Sequence, residues 1–200
     1  MAEAAKPLTI ARSELILGGQ KSGKTLRAES LAAAWLAQSP GHRAVYIATA
    51  QAWDDEMRER ISRHQRERAS RVPGMLTHEE PTELAHAIGQ HSRADTLVVV
   101  DCLTLWLTGL LMPAAGVSEP NVPAVQGGRA QDAIISGAIA ASAGPLVLVS
   151  NEIGLGVVPM GREVRSFVDA LGRLNQQAAA ACERVTLMSA GLALVLKGTA

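Results

Sequence analysis

Lys24 and Thr25 close the run Gly18-Gly19-Gln20-Lys21-Ser22-Gly23-Lys24-Thr25, which satisfies the pattern Gly-x-x-x-x-Gly-Lys-[Ser/Thr]. These residue types at this spacing bind a polyphosphate. The glycines let successive backbone N–H groups curl around phosphate oxygens, the Lys24 ammonium reaches the same oxygens, and a helix starting near Lys24 adds its positive end. The Thr25 hydroxyl is the expected ligand for Mg²⁺. An apolar run precedes the glycines and a helical pattern follows them, which is the context such a loop requires.

A metal held at a phosphate loop calls for a carboxylate, and "TLVVVDC" delivers Asp101 directly after a run of apolar residues. That places it at the carboxyl end of a strand, the edge where open α/β sheets bind ligands. Asp is also a favoured helix N-cap, and the two roles can coexist. A further strand end, "PLVLVSNEIGLGVVP", brings Ser150, Asn151 and Glu152 to the same edge, followed by Gly154 and Gly156. That loop reads either as a ligand-approaching backbone or as an ordinary turn, and Asp101 and Glu152 both stand as candidates for the metal.

"QAWDDEMRERISRHQRER" is charged almost throughout, with Asp54 and Asp55 suited to a helix start. Its one apolar stripe is Met57 and Ile61, continued at helical spacing by His64 and Arg68, so the imidazole is expected to face the protein body. An imidazole with a pKa near ~6.5 is largely neutral at pH 7 and can attack phosphorus, whereas neighbouring arginines only bind charge. A histidine in such a stripe can equally be a hydrogen-bonded core residue. His42, His78, His86 and His91 fall in loops or polar stretches without a comparable setting.

The elements that must position these residues alternate between short apolar runs and helical stretches. "LILGG", "AVYIATA", "TLVVVD", "PLVLVSN" and "RVTLMSAG" read as nearly continuous apolar strands covered by helices on both faces. "LALVLK" follows closely enough to form an antiparallel edge hairpin turning at Gly191. The expected fold class is therefore α/β, a single P-loop NTPase (RecA-like) domain with a mostly parallel sheet. Its body spans 13–200, after a flexible extension at 1–12 and with a Pro- and Gly-rich surface loop at 113–130. The stretch Gly161 to Glu183 reads as a helix with Val164, Phe167, Val168, Leu171 and Leu174 inward and Arg162, Arg165, Asp169, Arg173 and Gln176 outward.

Two hundred residues can bury one core, and the 19 basic residues balance the 19 acidic ones, so no net field draws in nucleic acid or an anionic membrane. Only 2% of the residues are aromatic, too few for base-stacking platforms. Cys102 and Cys182 lack metal-ligand spacing and are expected as buried thiols. No signal-peptide core or membrane-length apolar run is present, so the expected location is cytoplasmic and the expected partners are small molecules.

Together, "GGQKSGKT", "YIATAQAWDDEMRERISRHQRER", "VDCLTLWLTGLL", "VSNEIGLGVVPMGR" and "GRLNQQAAAACERVTLMSAGLALVLK", in this order, resemble the bifunctional adenosylcobinamide kinase/adenosylcobinamide-phosphate guanylyltransferase family of cobalamin biosynthesis. Lys21 stands where that family usually has arginine, and Met75 where it has tryptophan. The resemblance implies two acceptors. A nucleoside triphosphate, ATP or GTP, phosphorylates the aminopropanol hydroxyl of adenosylcobinamide. GTP then guanylylates a histidine, and adenosylcobinamide phosphate takes the GMP to become adenosylcobinamide-GDP.

The family histidine falls on His64, and its nucleotide contacts fall on the phosphate loop, on Ala48, Thr49 and Ala50, on Gln65, Arg66, Glu67 and Arg68, on Glu79 and on Asp101. A homo-oligomer, a trimer, is the implied assembly. Two rivals remain at this level: a plain P-loop kinase of a small alcohol with a structural His64, and a RecA-like ATPase acting on nucleic acid, which neutral charge and scarce aromatics disfavour.

Overall fold

The computed structural model describes residues 8–52, 55–112 and 129–199. Residues 1–7 of the expected extension, Asp54 at the expected helix start and 113–128 of the expected loop lie outside the described residues. The element order is β1 (Ser13–Gly18), α1 (Lys24–Gln38), β2 (Arg43–Ala48), α2 (Asp55–Arg71), β3 (Leu76–Glu79), α3 (Leu84–His91), β4 (Thr96–Asp101), α4 (Leu103–Leu111), α5 (Arg129–Ala141), β5 (Leu146–Val149), α6 (Arg162–Ala181), β6 (Arg184–Ser189) and β7 (Leu192–Lys197). The surface loop is thus shorter than expected at its end, because α5 already begins at Arg129. Within the expected extension, Thr9 is held by Arg184 and the Arg12 amide by Glu183.

Seven strands form one sheet in the order β3-β2-β4-β5-β1-β6-β7. All pairs are parallel except β6 with β7. Strand side chains alternate between faces, and the apolar runs feed both. Leu15, Leu17, Val98, Val100, Leu146 and Leu148 pack under α3, α4, α5 and α6. Ile16, Tyr46, Leu97, Val99, Val147 and Val149 face α1 and Val72. This is the expected α/β class, with the phosphate-loop strand β1 separated from the Asp101 strand β4 by β5. Register sets Glu79, Ala48, Asp101 and Val149 in one row across the carboxyl edge.

Three expectations are corrected. β3 was not anticipated, because Leu76–Glu79 is short, polar and at the sheet edge. Val164 is 49% exposed, since the inward face of α6 is buried only from Ala170 onward, while Phe167 and Val168 are half-buried. Neither Arg165 nor Arg173 projects freely outward: Arg165 donates to the carbonyls of Pro159 and Met160, and Arg173 is half-buried. The hairpin turns at Ala190 and Gly191, both with positive φ (49° and 80°), as a two-residue turn matched to strand twist requires.

Candidate active site

The phosphate loop is shaped by backbone that only glycine adopts easily. Gly18 has φ 149°, and a Cβ there would run into the Met188 carbonyl and come within 2.6 Å of Ser22 Oγ. Gly23, with φ 103°, passes so close to the hairpin turn that a Cβ would meet Gly191 Cα at 3.3 Å. Gly191 in turn donates its N–H to Ser22 O at 3.0 Å, so the β6–β7 turn braces the loop from behind. Lys24 Nζ donates to Gly18 O at 2.8 Å and Gly19 O at 2.6 Å, which aligns the ammonium with the loop interior. Burial lowers its pKa, and the Asp101 charge opposes that shift.

Asp101 does not cap α4. The cap is Cys102, whose Sγ accepts from Leu105 N at 3.4 Å. Asp101 Oδ2 instead accepts from Thr25 Oγ1 at 2.8 Å and from Tyr46 OH at 2.7 Å. Burial pushes the Tyr46 phenol well above its usual pKa, reinforced by Asp101, so it remains a donor. A hydroxyl and a carboxylate side by side beside a phosphate cradle suit Mg²⁺, which takes few protein oxygens and completes its octahedron from phosphate and water. Among the described residues there is no group of three or more His, Cys, Asp or Glu side chains that could hold a metal ion. Glu152 is directed elsewhere: its Oε1 accepts from Gly154 N at 3.0 Å within its own loop.

A cavity of about 430 Å³ opens over the carboxyl edge of the sheet. Its floor is formed by Gln20, Lys21, Lys24 and Thr25 from the phosphate loop and by Ala48, Ala50 and Asp101 from strand ends. Helix α2 also lines it, through Met57, Ile61, His64, Gln65 and Arg68, together with Glu79 from β3. The acidic first turn and basic last turn of α2 suit the helix dipole, so an otherwise polar helix holds its place here.

His64 therefore shares its stripe with Met57 and Ile61 as expected, but the stripe faces the cavity and not packed interior, and the imidazole is 43% exposed. Its Nδ1 lies 4.0 Å from Glu67 Oε2. Gln65 Nε2 donates to Glu79 Oε1 at 2.9 Å. Arg68 is 4% exposed, stacks its guanidinium 3.7 Å from the Tyr46 ring centroid and donates to Thr77 Oγ1 at 3.0 Å.

Several candidate residues stand apart from the cavity wall. Gly18, Gly19, Ser22 and Gly23 supply loop backbone. Thr49 is 1% exposed, and its hydroxyl is taken up by Cys102 N at 2.8 Å and Cys102 O at 2.7 Å. Arg66 and Glu67 lie on the exposed side of α2. The other histidines are engaged elsewhere, His42 stacked on Trp35, His78 against His91 and His86 with Gln90.

Sequence reasoning missed Tyr46 and Leu105, and it left Asn151 and its loop undecided. Asn151 lines the cavity with its backbone pinned by Thr104 Oγ1 and Asn175 Nδ2. The available signal for Tyr46 was a lone tyrosine interrupting an aliphatic strand two residues before Ala48.

A triphosphate lying along this cradle would share the cavity with the His64 imidazole. Residues 14–196 match the profile of the family described as cobinamide kinase / cobinamide phosphate guanyltransferase. The bifunctional adenosylcobalamin biosynthesis protein CobP of Pseudomonas aeruginosa is 45% identical over 185 residues, covering 92% of this chain and 97% of that one. The CobU proteins of Escherichia coli and Salmonella typhimurium are each 35% identical, covering 92% of this chain and 98% of theirs. The flagellar accessory protein FlaH of Methanocaldococcus jannaschii has a TM-score of 0.49 at 13% identity, covering 95% of this chain and 80% of that one, a likeness too loose to inform the site.

Proposed function

The chain belongs to the cobinamide kinase / cobinamide phosphate guanyltransferase family, and from that premise we propose that its two activities share one cavity, with the phosphate loop serving both and His64 serving the second. It is a transferase of cobalamin biosynthesis that uses nucleoside triphosphates. The finer reading is that residues 13–200 act as one unit on adenosylcobinamide and then on adenosylcobinamide phosphate.

In the kinase step, the aminopropanol hydroxyl attacks the γ-phosphorus of ATP or GTP. The bond to the β,γ-bridging oxygen breaks, the nucleoside diphosphate leaves and the hydroxyl proton passes to solvent. Positioning and charge stabilisation are the main burden in such transfers, and Lys24 with the loop amides supplies them. Mg²⁺, held by Thr25 and through Asp101, would neutralise charge on the phosphate oxygens.

The guanylyl acceptor is a phosphate monoester, a poor and charged nucleophile, so the transfer is divided in two. His64 attacks the α-phosphorus of GTP and pyrophosphate leaves, giving a phosphoramidate. The corrinoid phosphate then attacks that phosphorus and the P–N bond breaks, restoring the imidazole. Gln65, Arg68 and Glu79, which line the cavity, are assigned to the nucleotide, and Ala48 and Ala50 to its close backbone approach.

The observation that carries this reading is that one cavity is lined by His64, by Lys24 of the phosphate loop and by Asp101. It extends to a cytoplasmic homo-oligomer, a trimer, acting on small molecules only. The assembly is the one the family resemblance implies, and the balanced charge favours small-molecule partners over nucleic acid. Lys24→Ala tests the shared cradle: both the kinase rate and the GMP adduct should fall by at least about 10²-fold with the fold retained. Loss of one activity alone would show two separate triphosphate sites.

A further inference from the structure

The wall that carries His64 and the floor that carries Asp101 meet at one side chain. Tyr46 is the only tyrosine of the chain and is 5% exposed, on β2 between α1 and α2. Its hydroxyl donates to Asp101 Oδ2 at 2.7 Å, the oxygen that also accepts from Thr25 at 2.8 Å. Its ring lies under the Arg68 guanidinium at 3.7 Å. Arg68 sits four residues after His64 on the same helix face, and its second anchor is Thr77 on β3 at 3.0 Å.

We propose that Tyr46 is a positioning residue for both half-reactions, its hydroxyl fixing the Asp101 carboxylate beside Thr25 and its ring seating Arg68 and, through the helix, His64. This rests on the function proposed above and adds a residue to it. Two donors on Oδ2 restrain rotation of the carboxylate and occupy that oxygen, so a cation beside the Thr25 hydroxyl would be met by Oδ1, directly or through water. A guanidinium stacked on a buried ring resists lateral displacement of α2. Arg71, 2.7 Å from Glu29 on α1, is a further tether, so loss of the ring weakens the seat without freeing the helix. The two parts of the side chain thus have separable duties.

Two variants separate them. Tyr46→Phe keeps the ring and deletes the hydroxyl, whereas Tyr46→Leu deletes both. Mn²⁺ binding, followed by electron paramagnetic resonance with α,β-methylene GTP, which cannot lose pyrophosphate, reads the carboxylate. Guanylylation of His64 at saturating Mg²⁺ reads the helix. Tyr46→Phe should weaken Mn²⁺ about tenfold, the effect expected for one hydrogen bond to a charged group, yet form the adduct within about threefold of the wild-type rate. Tyr46→Leu should weaken Mn²⁺ similarly and slow the adduct by a further tenfold or so.

A merely structural tyrosine would leave the Mn²⁺ affinity of the folded Phe variant unchanged, and that result overturns the inference. So does an adduct rate in Tyr46→Leu equal to that of Tyr46→Phe. A wild-type chain that forms no adduct contradicts the proposed function and the ring's part with it, whereas unchanged Mn²⁺ affinity in Tyr46→Phe contradicts this inference alone.

Discussion

Thr25 Oγ1 donates to Asp101 Oδ2 at 2.8 Å, joining the start of α1 to the end of β4, a strand that β5 separates from the phosphate-loop strand β1. The contact brings a hydroxyl and a carboxylate, 76 positions apart in the chain, to the mouth of the phosphate loop. No cap on α4 depends on that carboxylate, because Cys102 supplies it.

Asp101→Asn should therefore raise the Mg²⁺ concentration giving half-maximal kinase rate by at least about tenfold while leaving the unfolding midpoint near wild type, since a neutral amide binds the cation's water shell weakly. Parallel magnesium titrations of the two proteins check this. Superimposable curves would remove Asp101 from the metal site.

Glu152 is the control for that experiment. Its carboxylate caps Gly154 N inside its own loop, so Glu152→Gln should keep a wild-type magnesium curve. A shift as large as that of Asp101→Asn would reassign the metal to the β5 edge.

Burial pushes the thiols of Cys102 and Cys182 up to about 12, with the Asp101 charge adding to the first. In the unfolded chain a thiol ionises near ~8.5, so between about pH 8.5 and 12 the folded state holds protons that the unfolded one has lost. Stability is then fully present below about pH 8.5 and declines as pH rises through that window. Urea midpoints measured at pH 8 and pH 10 should drop more for wild type than for Cys182→Ala. At pH 8 a thiol reagent should label neither cysteine until urea is added. Rapid labelling of the native protein would contradict the burial that sets both expectations.

Much of the site was legible because its signals are local. The loop Gly18–Thr25 carries its chemistry in consecutive residues, and Asp101 announces itself by ending an apolar strand. The continuous runs of β1, β2, β4, β5 and β6 encode burial on both faces, whereas Leu76–Glu79 has too little apolar pattern to stand out from a loop. Helical spacing put His64 on one stripe with Met57 and Ile61, but periodicity cannot tell a packed interior from a cavity wall. Tyr46 was illegible for a different reason: its meaning lies in Asp101, 55 positions away, and in Arg68, contacts that exist only once the sheet register and α2 are in place. Thr49 shows the reverse, a position within a legible motif whose hydroxyl is spent on Cys102.

The central claim is that His64 carries GMP between GTP and the corrinoid phosphate. Incubation with GTP and Mg²⁺, followed by intact-protein and peptide mass spectrometry, tests it most directly. The wild-type chain should release pyrophosphate and gain one GMP on the His64 peptide, as a phosphoramidate labile in acid and stable in base. His64→Ala should lose the adduct and guanylyl transfer while keeping most of its kinase rate, which depends on the phosphate loop and not on an imidazole. An adduct on another residue, or guanylyl transfer that persists in His64→Ala, would contradict it.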